Sequence, residues 1–228
     1  MFSATAAWTI ATLGILLLWD ASGLDMMLAR AAAPAGAFPL RDDWLVSTVL
    51  HKGMRNVAWG FAAWLVVGVW YPTGILRRLT RAARIQWVVS LLASVAAINV
   101  LKYSSHTSCP WDLVEFGGLG TYVSHWAWGV ADGGPGRCFP AGHASAGFGF
   151  LGGFFVMYPI SRRLPFACLA AALGAGFVLG VAQQLRGAHF MSHSLWTCWF
   201  CWVTGWMVDT VAQWRSPNNK ALSVHEVS

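Results

Sequence analysis

Charged side chains are scarce in this chain: Asp, Glu, Lys and Arg make up 11% of its 228 residues, against 57% hydrophobic. Soluble domains carry about 25% charged residues, so a fully water-facing surface is excluded. Acidic residues are fewest, nine against fifteen Lys and Arg. The bases fall in short clusters between apolar runs, so the net charge of +6 reads as membrane topology, and no nucleic-acid partner is expected. Low-complexity tracts, internal repeats and long linkers are lacking, which leaves a single domain over residues 1–228. A transporter built from inverted repeats loses its support by the same absence. The weak ten-residue alternation of an outer-membrane barrel is also missing.

What is present is apolar length. Mean hydropathy is +0.53, 15 Trp are present, and the apolar runs are roughly 16 to 22 residues long, as helices crossing a bilayer core of about 30 Å must be. An all-α integral membrane protein is expected, with six transmembrane helices at about Ala4–Trp19, Val57–Leu76, Gln86–Leu101, Ala144–Ile160, Phe166–Gln183 and Ser194–Val211. The first run is read as a span and not as a cleaved signal, because its start carries no Lys or Arg. The segment 20–56 is too polar to cross, yet "DDWLVSTVLHKGM" has apolar residues at helical spacing, so short interfacial helices are expected there.

Arg77, Arg78, Arg81 and Arg84 in the second connection, Arg162 and Arg163 in the fourth, and Arg215 and Lys220 in the 212–228 tail place these segments in the cytoplasm. Both termini are then cytoplasmic. The first, third and fifth connections face the opposite side, which in a bacterium is the periplasmic face of the inner membrane. Trp19, Trp44, Trp70, Trp87 and Trp214 fit interfacial anchors.

Lys102, His143, Arg186 and His189, up to 87 positions apart, all fall at span ends on that outer face. Charged and titratable groups at membrane depth face cavities or partners, so Lys and Arg beside His point to an anion site. Arg186, His189 and His193 have i, i+3, i+7 spacing, which on one helix would share a face and let His193 orient His189. A histidine so held beside cations suits nucleophilic attack on phosphate. His143, after Pro140, Ala141 and Gly142, can give a proton to a leaving oxygen while the turn amides bind phosphate oxygens.

At these residues the chain resembles the type 2 phosphatidic acid phosphatase family of membrane lipid phosphatases. Its first motif, Lys-x6-Arg-Pro, is approached by Lys102 with Cys109 and Pro110; its second, Pro-Ser-Gly-His, by Pro140, Ala141, Gly142 and His143. In its third, Ser-Arg-x5-His-x3-Asp, Gly187 and His189 match, while Ala182, Gln183 and His193 stand where Ser, Arg and Asp are usual. The resemblance covers about residues 100–205. It implies that His189 attacks phosphorus to form a phosphohistidine, His143 protonates the leaving alcohol, and Lys102 holds the phosphate, with no metal or other cofactor. Arg186 and Arg137 are candidate substitutes for the missing arginines, with Ala141 and Gly142 lending amides. His193 is the candidate support for His189, and Asp112 or Glu115 could complete the relay.

Cys168, Cys198 and Cys201 lie within spans and read as packed small hydrophobes. Cys109 and Cys138 lie in the outer connection, each beside a family motif, where a disulfide would close the loop over the pocket. His51, His106 and His125 read as interfacial residues. The substrate expected is a phosphorylated lipid in the bilayer: phosphatidic acid, phosphatidylglycerophosphate, a polyprenyl phosphate or diphosphate, or lipid A. The alternatives are a lipid phosphotransferase using the same intermediate, and a metal or haem site gathered from His189, His193 and His143 or His106. The sequence does not fix oligomeric state.

Overall fold

The structure, a computed structural model, describes residues 2–127 and 129–215; the tail read over 212–228 lies outside them from residue 216 on. The described chain is helical, its one pairing of extended backbone being an isolated bridge between Leu113 and Gly120. Three helices are long and apolar enough to cross a membrane: α1 (Phe2–Ala21), α4 (Arg81–Ser104) and α7 (Leu164–Leu185). Each comes from a mainly apolar run with few charges. Thr80 caps α4, its hydroxyl accepting from the Ala83 amide at 3.1 Å, and Pro165 opens α7 in the first turn, where its missing N–H costs nothing.

The second expected span differs from the structure. Its helix is α3 (Met54–Val67), led in by a π-helical stretch Leu45–Gly53, so the helical run covers 45–67 and not 57–76. It stops because the Gly68 backbone packs against Leu76, whose Cδ1 would lie 2.3 Å from a Cβ placed there, and Pro72 follows. The apolar spacing in 42–54 therefore marks the start of this helix and not a separate surface helix. The other short helix of that segment is α2 (Leu24–Ala32).

The run at 144–160 also departs from one regular helix, forming α5 (Ser145–Phe148), a 3-10 stretch Gly149–Gly152, and α6 (Gly153–Met157). Its glycines let backbones meet: a Cβ on Gly147 would sit 2.2 Å from the Gly176 amide nitrogen of α7, and one on Gly205 3.0 Å from Gly152 Cα. Close approach at small residues is a main source of helix association where no water is expelled. The last helix, α8 (Met191–Trp214), packs against α1, α4 and this irregular run.

Core layers follow from these contacts. Ile98, Ala144, Phe148, Leu151, Ala172 and Cys201 join α4, α5, α7 and α8 at the centre. Cys201 is buried, with Cys168 and Cys198 partly so, all three as free thiols. A satellite cluster of Ala29, Phe38, Leu113, Phe116 and Phe190 seats α2 and the long connection over the helix ends that carry the motifs.

Candidate active site

The connection between α4 and α5 is folded back on itself by hydrogen bonds. Buried Asp132 accepts from the Ser108 amide (2.5 Å), the Ser108 hydroxyl (2.8 Å) and the Gly134 amide (2.9 Å). The Arg137 and Cys138 amides donate to the Ser105 and Thr107 carbonyls at 2.9 and 2.8 Å. A carboxylate shared by three donors is a strong local fastener. It brings Cys109 against Cys138, and the two form a disulfide across 29 positions. Arg137 adopts a left-handed backbone (φ 58°), unusual for a residue with a Cβ; it follows Gly136, also left-handed at φ 65°.

The start of α8 is fixed from α2. Asp25 accepts from the Ser192 amide at 3.0 Å and from the Ser192 hydroxyl, with Trp19 Nε1 donating to the same carboxylate at 3.0 Å. An acidic side chain at a helix N-terminus satisfies open N–H groups and favours the dipole. The chain between α7 and α8 turns at Gly187 (φ 76°), whose carbonyl accepts from the Trp111 amide at 3.0 Å.

That turn corrects the helical face drawn through Arg186, His189 and His193. α7 ends at Leu185 and α8 begins at Met191, so the three residues do not share a helix. Arg186 turns away: its Nε donates to the Arg41 carbonyl at 2.8 Å and its guanidinium lies 5.9 Å over the Trp111 ring. It does not line the cavity described below, where the sequence reading put it in contact with phosphate. The Ala141 amide is likewise spent, donating to the His193 carbonyl at 3.2 Å, which leaves the Gly142–His143 turn as the open part of that motif.

Lys102, His143 and His189 do converge. A Cβ on Gly142 would lie 3.6 Å from Lys102 Nζ, which sets the ammonium against the second motif. The His143 and His189 ring centroids are 6.2 Å apart, and those of His189 and His193 are 5.8 Å apart. His189 is 2% exposed and His193 fully buried. His193 is boxed by Phe139 (5.3 Å), Phe190 (5.4 Å) and His125 (5.7 Å). Burial, with Lys102 and the two neighbouring histidines adding positive surroundings, holds the His189 pKa well below the ordinary imidazole value. Its Nδ1 faces Cys138, whose disulfide sulfur, carrying no hydrogen, lies 3.4 Å away. An Nδ1 occupied by an acceptor leaves Nε2 with the lone pair.

Lys102, Arg137 and His143 open on one cavity of about 510 Å³, walled by α3, α4, α5 and Leu179 of α7; buried His189 lies behind the His143 wall and is not itself part of the lining. Arg55 of α3 lines it too, and the sequence reading missed it as part of an interfacial segment. Through Ala58, Ala146, Phe150 and Leu179 this cavity adjoins a second, almost wholly apolar one of about 270 Å³ that runs down α3 past Phe61, Trp64 and Leu65.

Other residues weighed from sequence fall elsewhere. Glu115 pairs with Arg30 at 2.5 Å on the surface, and Asp112 accepts from its neighbour Trp111 at 3.0 Å; burial pushes the Asp112 carboxyl up. His125, read as interfacial, forms the back wall: it stacks on Phe139 at 4.1 Å, and its Nε2 is 3.4 Å from Asp20 Oδ2, which also accepts from Trp126 and Trp196 at 2.8 and 2.9 Å. Among the described residues, the ligand-type atoms that gather within 4.8 Å belong to Cys109, Cys138 and His189, where the two sulfurs are bonded to each other and are not thiolates.

With a lysine, a Pro-x-Gly-His turn and a second histidine brought together in this order, the family model of the PAP2 superfamily matches residues 84–217. The chain belongs to the PAP2 superfamily. Its members are phosphatases acting on phosphorylated substrates, and the apolar helices of this chain fit a membrane-embedded member. Comparison with curated proteins and with solved structures gives no match. The matched region takes in α4 from Arg84 on through α8 and every motif residue, while Arg55 of α3 lies outside it.

Proposed function

We propose that the chain is a lipid phosphatase of six spans, built from α1, α3, α4, the α5–α6 run, α7 and α8, with both termini cytoplasmic and the cavity open to the periplasmic side of a bacterial inner membrane. The observation that carries the lipid reading is the junction of two cavities: a cationic one at Lys102, Arg137 and His143, adjoining an apolar one along α3 through shared walls. A phosphate at headgroup depth with a hydrocarbon tail matches that sequence of surroundings.

In this reading Nε2 of His189 attacks phosphorus, the bond to the lipid oxygen breaks, and His143 delivers its proton to that oxygen. Water then attacks the phosphohistidine and releases inorganic phosphate. An in-line transfer places nucleophile and phosphorus about 3 to 3.5 Å apart and the acid about 3 Å from the leaving oxygen, a span to which imidazole centroids 6.2 Å apart are suited. Lys102, Arg137 and the Gly142 turn supply the electrostatic stabilisation that the family draws from arginines at positions 109 and 183. The Cys138 sulfur takes the part of the missing aspartate by facing Nδ1, with His193 packed behind the ring. Arg186 is a positioning residue that ties the turn before His189 to the Arg41 segment.

Purified protein in detergent, incubated with chelator and a panel of phosphatidic acid, phosphatidylglycerophosphate, polyprenyl phosphates and lipid A, should release phosphate. Phosphorylated acceptor lipid without free phosphate would instead establish the phosphotransferase. Dependence on added zinc or magnesium would replace this mechanism with a metal-centred one.

A further inference from the structure

The cavity wall holds a cation that neither the family motifs nor the mechanism above employs. Arg55 sits in the first turn of α3 and lines the same cavity as Lys102, Arg137 and His143. Among the described residues no carboxylate pairs with Arg55, Lys102 or Arg137; the ion pairs found are Arg30–Glu115 and His125–Asp20. No Asp or Glu among the described residues lines the cavity. Two exposed guanidinium groups, that of Arg137 lying over the Tyr103 ring, and the half-buried Lys102 ammonium thus line one space with no carboxylate paired to them among the described residues, which favours a ligand carrying more negative charge than a single phosphate monoester supplies.

Position orders these cations. Lys102 lies against the Gly142–His143 turn, so it belongs to the phosphoryl group that is transferred. Arg55 is flanked by Met54, Val57 and Ala58, all of which line the apolar cavity, so it belongs on the tail side. We propose that Arg55 binds a second phosphate, the one bonded to the lipid tail, and that the chain is selective for lipid diphosphates over monophosphates. This rests on the phosphatase reading given above. The chemistry is then specific: His189 attacks the terminal phosphorus, the bond from that phosphorus to the bridging oxygen breaks, and the bridging oxygen leaves with the tail-side phosphate, taking the His143 proton. Arg55 neutralises the charge that develops on this leaving group, and water afterwards frees inorganic phosphate, so one diphosphate and one water give a lipid monophosphate and phosphate.

The test compares farnesyl diphosphate with farnesyl monophosphate, which share a tail, using the full-length protein in detergent. Wild type should show the higher kcat/KM on the diphosphate. Arg55→Gln should lower that value by about 10- to 100-fold, the worth of a charge-assisted contact, and lower the monophosphate value by a smaller factor, with Arg55→Lys between the two. Separately, inorganic pyrophosphate should raise the melting temperature of wild type more than inorganic phosphate does, and Arg55→Gln should erase that difference. Equal losses on both substrates, or a wild-type preference for the monophosphate, would overturn the role of Arg55. Absence of turnover on both substrates with the pyrophosphate effect intact would overturn the phosphatase reading and leave the two-phosphate site standing; loss of the binding difference as well would overturn both.

Discussion

Cys138 and His189 touch: the Cys138 sulfur is 3.4 Å from His189 Nδ1, and the sulfur's bond to Cys109 fixes the strand of chain that presents it. The family's arginine position is therefore filled by one half of a disulfide whose other half lies against His189. Replacing both cysteines by Ala should lower kcat by about 10- to 100-fold, the usual effect of losing a supporting contact, with a smaller change in KM. Closing a loop of 29 positions also restricts the unfolded chain, so stability should fall by about 3 to 4 kcal/mol in the chain-entropy model. Unchanged kcat in a double variant that still folds would show that Cys138 does not position His189.

Acidity should affect the site later than an ordinary histidine would. His189 must be neutral to attack, and burial beside Lys102 keeps its pKa well below the usual value. The neutral form persists in the folded enzyme as pH falls through about 6.5, and activity is lost only below that. The acid limb of kcat/KM should therefore lie under about 6.5 and stay in place for two substrates whose phosphates differ in pKa. A limb at or above that value for both substrates would mean that His189 is not held neutral.

Gly187→Ala should disrupt the site from outside it. Gly187 has φ 76°, and a Cβ there would lie 2.3 Å from the Phe38 ring, which seats the long connection. A left-handed residue with a Cβ and an overpacked aromatic contact together cost about 2 to 4 kcal/mol. Gly142→Ala has no such clash, its Cβ meeting Lys102 Nζ at 3.6 Å, so it should fold normally and lose activity by crowding the phosphate. Thermal melts beside kcat/KM separate the two variants; a Gly187→Ala protein as stable as wild type would refute the packing argument.

The sequence made some of this legible and concealed the rest, for physical reasons. The runs that became α1, α4 and α7 were readable because burial in lipid demands length and apolarity, and no Pro or dense charge breaks their centres. The convergence of Lys102, His143 and His189 was readable because membrane topology puts alternate connections on one face. Periodicity failed at Gly187: i, i+3, i+7 spacing implies a face only if the backbone is helical throughout, and a glycine with positive φ can end a helix within such a pattern. Arg55 was hidden because a basic residue just before an apolar run reads as an interfacial anchor, and only the packing of α3 against α4 and α5 puts it on the cavity wall. The contact of Cys138 with His189 was hidden for a different reason: it joins residues 51 positions apart through the way the long connection folds back, which motif spacing does not show.

The division of labour between the two histidines should be visible in a single labelling series with a substrate carrying a radioactive terminal phosphate. His189→Ala removes the only atom proposed to bond phosphorus, so it should give neither turnover nor acid-labile labelled protein. His143→Ala keeps the nucleophile and removes the proton donor, so labelled enzyme should still form slowly with a lipid alkoxide leaving group, slower by about 100- to 10,000-fold, the worth of a general acid. With para-nitrophenyl phosphate, whose phenolate leaves without needing a proton, most of that deficit should vanish in His143→Ala and none of it in His189→Ala. Labelled His189→Ala protein would remove the assignment of the nucleophile. A His143→Ala variant equally slow with both leaving groups would show that His143, with its ring 6.2 Å from that of His189, binds phosphate and is not the acid.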